Sequence, residues 1–314
     1  MIQTRNQSVV EEFILLGLSE DPLVQIVLFH LFLLIYLTTL AGNLLLIVAV
    51  GADTRLHTSM YFFLANLSSL DIFYTSTIVP KMLVNFLSLK KSISFTGCFI
   101  QHTILFLIFS CTECSLLALM AIDRYVAICH PLRYNMIMNT SVCFWMISIS
   151  WMTGCIVSSL DTYIAFHLTY CGPNIINHFF CESPLLLQLS CSSSSATDIL
   201  RVLGTAIFLF IPLSLIIGSC LRIIICIAKL HTGKYNVFST CVSHLVVVTI
   251  FFGASIYMYV RPENSVKDGT DKVVAVFYTA ITPMLNPVIY SLRNKDVQRT
   301  MKQLYILPLT SKVE

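Results

Sequence analysis

Charge is what this sequence has least of. Only 11% of its 314 residues are Asp, Glu, Lys or Arg, against 56% hydrophobic residues and a mean hydropathy of +0.82. A soluble domain carries about 25% charged residues, so there is too little polar surface here to cover a water-exposed globule. The same figures exclude a disordered chain, a collagen and a secreted disulfide mini-domain. A net charge of +3 offers no phosphate-tracking surface, which excludes a nucleic-acid binder. Internal repeats are absent, and the only low-complexity tract is Ser192 to Ser195. The first 24 residues hold Arg5, Glu11, Glu12, Glu20 and Asp21 without a basic segment leading into an apolar one. The expectation is therefore no cleavable signal peptide, with the first apolar helix directing insertion.

What is there is length of apolar run. About 20 residues of helix cross the hydrocarbon, and seven stretches qualify: Leu23 to Gly51, Met60 to Leu87, Gly97 to Ile122, Val142 to Leu160, Ile199 to Ala228, Phe238 to Tyr259 and Val273 to Leu292. The expected fold is an all-α membrane protein, a seven-transmembrane helix bundle with a short cytoplasmic C-terminal helix. Residues 1–22 would form an extracellular N-terminal tail, 23–292 the bundle and 293–314 a cytoplasmic C-terminal tail. With the N-terminus outside, eleven of the 19 Lys and Arg fall on the cytoplasmic side, a mild positive-inside bias. The sequon at Asn6 supports that orientation, since glycosylation needs lumenal exposure. Two more sequons, at Asn66 and Asn139, fall in a helix and a cytoplasmic loop and read as chance matches. The expected location is the plasma membrane.

Twelve cysteines are sorted by this topology. Cys98, Cys171, Cys181 and Cys191 lie on the oxidising side, where two bridges can form in three pairings. A bridge from Cys98, at the outer start of the third span, would pin the loop of about 38 residues between spans four and five. The run His178-Phe179-Phe180-Cys181-Glu182 also suggests soft metal ligands. One His and one Cys are too few to hold a metal.

Two acids, Asp71 in span two and Glu113 in span three, sit deep in apolar sequence. Each costs about 2.5 to 3.5 kcal/mol near the bilayer centre, so both must face the bundle interior. Asn43 and Asn286, in spans one and seven, add amide oxygens. The four form a candidate sodium site. A protonated hydrogen-bond network, or an ion relay in a transporter, fits the same residues. Pro80, Pro212, Pro283 and Pro287 place kinks in spans two, five and seven. At the inner end of span three stands Asp123-Arg124-Tyr125, an acid and base whose release would present a charged donor to a partner.

Taken in order along the chain, these features match a family. Phe13-Ile14-Leu15-Leu16-Gly17, Gly42-Asn43, Leu56 to Tyr61, Leu67 to Asp71, Met120 to Cys129, Phe238 to Leu245 and Pro283 to Tyr290 each stand at the matching end of a span. From about Phe13 to Val297 the sequence resembles the odorant (olfactory) receptor family of rhodopsin-like G-protein-coupled receptors. The resemblance implies a receptor for small volatile molecules that activates a heterotrimeric stimulatory olfactory-type G protein and raises cyclic AMP. It implies pairing of Cys98 with Cys181 and of Cys171 with Cys191, a G-protein switch at Arg124, and sodium-site acids at Asp71 and Glu113.

The sequence departs from the family pattern in places. Ser59 stands where Pro is usual, Ile122 where Tyr is, Cys220 where Ser is followed by Tyr, and Phe252 where the family has Tyr. The interval from Cys98 to Glu113 is one residue longer than the family's, which disturbs the register of outer span three.

Inward-facing positions at helical spacing place a ligand among Phe106, Ser110, Cys111 and Cys114 of span three, Thr205 and Phe208 of span five, Ser255 and Tyr259 of span six, and Thr279 of span seven. None is basic. The expected ligand is neutral and largely hydrophobic, oriented by one or two hydroxyls, with no cofactor beyond an allosteric sodium ion and with membrane lipid around the bundle. A transporter or channel is the rival reading, but it predicts internal repeats. An intramembrane enzyme is the third, and its candidate histidines, His102 and His244, show no nucleophile partner in the sequence.

Overall fold

The computed structural model describes residues 10–106, 112–170, 173–191, 195–229, 234–259, 269–291 and 297–300. Helices dominate. In chain order they are α1 (Pro22–Ala52), α2 (Ser59–Leu87), α3 (Phe95–Phe106), α4 (Cys114–Cys129), α5 (Tyr134–Ile137), α6 (Thr140–Phe166), α7 (Ser183–Gln188), α8 (Ser195–Lys229), α9 (Lys234–Tyr259), α10 (Thr270–Val276) and α11 (Thr282–Ser291). Residues 297–300 are again helical, at the start of the segment expected to form the C-terminal helix.

The seven apolar stretches map onto these elements. α1, α2 and α6, Val202–Ala228 within α8, and Thr270–Tyr290 are each long and apolar enough to cross a membrane. The third span is α3 and α4, on either side of residues 107–111, which are not among those described. The sixth is the apolar part of α9, His244–Met258. The chain folds as a seven-helix membrane bundle. Helix ends run past the hydropathy limits: α6 reaches Phe166 rather than Leu160, and α8 begins at Ser195 despite Asp198 and Arg201. Hydropathy marks the hydrocarbon slab, whereas a helix continues as long as its backbone bonds are made.

Local chemistry explains several boundaries. Asp21 caps α1, accepting from the backbone N–H groups of Leu23 and Val24 at 2.8 and 3.1 Å, with Pro22 in the first turn. Asn139, one of the chance sequons, caps α6 by accepting from Val142 N at 3.0 Å. Pro131 follows the end of α4, and the chain then bends by 112° into α5.

Outward faces are apolar along most of their length. Leu23 is 75% exposed and Leu34 64%, and α8 shows Ile199, Val202, Ile211 and Leu221 in the same way. Such a surface is stable only against lipid. Inside, one core joins all seven spans, with Leu67, Leu116, Leu117, Ile216 and Phe251 fully buried.

One feature was not read from the sequence at all. The N-terminal segment is not a loose tail: β1 (Glu12–Leu15) pairs antiparallel with β2 (Ser92–Ser94) and parallel with β3 (Ile175–Ile176). Phe13 and Leu15 point down into a second cluster with Ile93, Cys98, Ile176 and Cys181, while Glu12 on the other face meets Lys90 at 2.5 Å. Lys90 holds the Glu12 carboxyl below its ordinary range. Gly17 then turns the chain toward α1 with φ +71°, a conformation that favours glycine. The matching motif Phe13 to Gly17 is thus a strand and its exit turn. Three strands drawn from distant parts of the chain cap one end of the bundle.

Candidate functional site

The capped end is tied by a disulfide between Cys98 and Cys181, which are 83 residues apart with Cα atoms separated by 5.6 Å. Cys191 is also bridged, and Cys171 lies outside the described residues. Gln101 adds a second tie, accepting from Cys181 N at 2.9 Å. Asn6 lies outside the described residues.

His102, for which the sequence showed no nucleophile partner, lies in a cluster of polar side chains. Its Nε2 lies 2.8 Å from Ser183 Oγ, and Ser183 in turn donates to Asp161 Oδ2 at 2.5 Å. Because the serine proton is committed to the carboxylate, the imidazole donates to Ser183 rather than acting as its base, and its Nδ1 faces Thr162 Oγ1 at 3.3 Å. The cluster joins spans three and four to the loop as a lock. Its members are far apart in sequence, and no spacing rule could have found them.

His178 of the loop is 2% exposed, and neither ring nitrogen has a hydrogen-bond partner among the described residues. It stacks on Phe179 at 4.6 Å and meets the edge of Phe180 at 4.7 Å. Burial, and then the positive Lys272, push its pKa down to about 3. A folded-state value below the ordinary 6.5 means that stability is complete above that pH and falls as the solution is acidified toward 3, by about 1.4 kcal/mol per unit. Acidifying the purified protein from pH 7 to 5 should therefore lower its melting temperature, and His178→Phe should remove most of that drop. Equal drops in both proteins would show that His178 plays no part.

Deeper in, the expected cation-site residues are only partly gathered. Asn286 donates to Asp71 Oδ2 at 2.9 Å, and Glu113 lies close enough to interact electrostatically with Asp71. All three are buried. Asn43 does something the sequence did not reveal. Its amide donates to Pro283 O at 3.0 Å, the carbonyl that Pro287, lacking an N–H, cannot serve. Gly42 beside it permits the approach, since a Cβ there would stand 3.0 Å from Pro287 Cγ. Gly42-Asn43 of the first span and Pro283 to Pro287 of the seventh therefore form one close contact. The side-chain oxygens of Asn43 and Asn286 have no hydrogen-bond partner among the described residues.

At the end opposite the cap, Asp123 and Arg124 each contact a tyrosine from another part of the chain. Tyr134 of α5 donates to Asp123 Oδ1 at 2.9 Å, while the Arg124 guanidinium lies over the Tyr290 ring, 5.7 Å from its centre. Tyr290 Oη also meets His244 Nδ1 at 3.1 Å. Arg124 is 6% exposed. Spans three, six and seven thus converge on Tyr290, a junction that sequence reading missed because it assigned Arg124 only to its neighbour. Tyr125 turns outward to His130 Nε2 at 3.2 Å. Ser59, where the family pattern has Pro, donates to Met138 O at 2.8 Å and so ties α2 to the chain before α6.

Of the ligand set, Ser110 and Cys111 lie outside the described residues, as do the side chains of Phe106, Thr205 and Tyr259. Cys114, Ser255 and Thr279 are buried and Phe208 is half-buried. Ser255 and Thr279 each donate to the carbonyl four residues earlier, at 2.7 Å, leaving oxygen lone pairs available to accept. Residues 112–113 are π-helical. A π-turn takes up one extra residue in a helix, in keeping with the long interval between Cys98 and Glu113.

Comparison with known proteins follows the same outline. The model of a family described as "Olfactory receptor" matches residues 32–307. Olfactory receptor 5AP2 of Mus musculus is 48% identical over 305 residues, 96% of each chain. Olfactory receptor 2D2 of Homo sapiens is 48% identical over 301 residues, 95% of this chain and 97% of its own. Olfactory receptor 10A7 of Homo sapiens is 44% identical over 311 residues, 98% of each.

Proposed function

The chain belongs to the olfactory receptor family of G-protein-coupled receptors, and from that premise we propose that it binds small, neutral, hydrophobic volatiles in the half of the bundle nearer the disulfide cap. Binding there activates a heterotrimeric stimulatory olfactory-type G protein at the Arg124 end and raises cyclic AMP. The N-terminus lies outside the plasma membrane and the C-terminus in the cytoplasm.

The observation that carries this reading is the Tyr290 junction. Arg124, His244 and Tyr290 come from three spans and meet far from the cap. A ligand that prefers one packing of those spans shifts the population only by its differential affinity for the two states. Separation of the inner ends of spans five and six would then free Arg124 for a G-protein segment. Cells expressing this chain with an olfactory-type G protein and a cyclic AMP reporter should respond to members of an odorant panel. Ligand-driven current or uptake without G protein would overturn the reading in favour of a transporter.

A sodium ion fits the interior site. Asp71 and Glu113 supply the charge, and the unpartnered buried oxygens of Asn43 and Asn286 are neutral donors of the kind a hard cation takes. The ion would supply fixed positive charge between the two acids. Asp71→Ala strands the Asn286 amide in a dry site, at a cost of about 1 to 3 kcal/mol. If that cost falls on one packing more than the other, basal signalling changes by roughly tenfold and loses its sodium dependence, while the rank order of odorants stays the same. A change in rank order alone would remove Asp71 from this role.

A further inference from the structure

Two cysteines meet where spans three and five close on each other at the Arg124 end. Cys129 is the last residue of α4, and Cys226 stands three residues before the end of α8 at Lys229. Their contacts are reciprocal. The Cys129 thiol approaches Arg222 O of α8 at 3.9 Å, and the Cys226 thiol approaches Ile128 O of α4 at 4.0 Å. Arg222 lies about one helical turn before Cys226, and a helical side chain leans back over the preceding turn. The carbonyl that takes the first thiol is therefore beside the second, and Ile128 adjoins Cys129 directly.

The helices are packed around this crossing, with Val126 of α4 and Ile223 and Ile227 of α8 buried. The cysteines themselves are half-buried and carry thiols. His130 and Lys229 follow them along the chain and mark the water boundary, so a small polar oxidant reaches them without crossing the hydrocarbon. Contacts of the S–H to O type are weak, and leaving those two carbonyls costs little. Rotation about each Cα–Cβ bond swings a sulfur off its carbonyl toward the other.

We propose that Cys129 and Cys226 are a redox-sensitive dithiol, which peroxide converts to a disulfide that fastens span five to span three. One sulfur, as thiolate, attacks a peroxide oxygen; the O–O bond breaks, a sulfenic acid forms and the first water leaves. The other sulfur attacks the sulfenic sulfur, the S–S bond forms, the S–O bond breaks and the second water leaves. Two thiols lose two electrons to one peroxide, and their protons end in the two waters. Cytosolic thiols return the pair to its reduced state. The effect on signalling rests on the function and orientation proposed above. Arg124 stands on α4 five residues before Cys129, so a span five bonded to α4 cannot take part in the separation that frees the guanidinium.

The test exposes cells expressing the full chain to hydrogen peroxide, blocks the remaining thiols with N-ethylmaleimide and maps disulfide-linked peptides by mass spectrometry. A peptide pair joined through Cys129 and Cys226 should appear with peroxide and disappear after washout. It should be absent from Cys129→Ser and from Cys226→Ser, each of which covers the case in which the other fails to fold. In the same cells the cyclic AMP response to an activating odorant, scaled to the response to forskolin, should fall about tenfold with peroxide and recover on washout. Neither serine variant should show that fall. Absence of the pair at peroxide levels that oxidise other thiols of the cell, linkage of Cys129 to a different cysteine, a linked pair with an unchanged response, or an equal loss of response in the serine variants would each overturn the proposal. If no odorant evokes a response, the function proposed above fails, while the linked peptide still decides the dithiol.

Discussion

Arg124→Ala should abolish the cyclic AMP response to every activating odorant while leaving odorant affinity within about threefold of wild type. The guanidinium is nearly buried, lies against Tyr290 and sits far from the disulfide cap. Its removal therefore does not touch the proposed ligand half directly. It deletes the group that a G-protein segment would take up, together with a cation–π contact worth about 0.5 to 2 kcal/mol. Loss of that contact alone would loosen the resting packing and raise basal activity. Loss of the docking group predicts silence, and the two outcomes have opposite signs. Arg124→Lys keeps the charge but not the planar fork, so a reduced response is expected from it. A full response from Arg124→Ala, at matched surface expression, would remove the residue from the mechanism.

Cys98→Ser should keep the protein from reaching the cell surface. Opening the link between Cys98 and Cys181 frees an 83-residue separation, which the chain-entropy relation puts at about 4.5 kcal/mol. That is a large part of a typical stability of about 5 to 15 kcal/mol. The bridge also sits inside the cluster that holds β1 and β3 against the bundle. Its loss should unseat the strands, the loop and the Gln101 contact together. Cys155→Ser, at an exposed cysteine that is unbridged, is the matched control and should leave expression unchanged. Surface staining of the two variants checks this directly, and equal staining would show that the cap holds without its bridge.

Much of the bundle was legible beforehand because lipid imposes a one-dimensional rule. Every span must present about 20 apolar residues whatever its neighbours are, so Leu23 to Gly51 or Met60 to Leu87 could be read without knowing what they pack against. Asp71 and Glu113 were recognised as interior by cost alone. That Pro80, Pro212 and Pro287 stand inside helices was legible for the same reason, since a proline acts on its own helix.

The strand at Glu12–Leu15 was not legible, because four residues of alternating burial carry little signal and their two partners lie about 80 and 160 residues away. The hydrogen bond from the Asn43 amide nitrogen to Pro283 O was not read from the sequence, and neither was the lock of His102, Ser183 and Asp161. Sequence by itself determined that this chain crosses a membrane seven times, which acids must turn inward and where its helices can bend. Those follow from the price of exposing one residue to one solvent. Only the tertiary structure decided which polar atoms meet across helices, because hydrogen bonds act over about 3 Å between residues whose sequence separation carries no information about that distance.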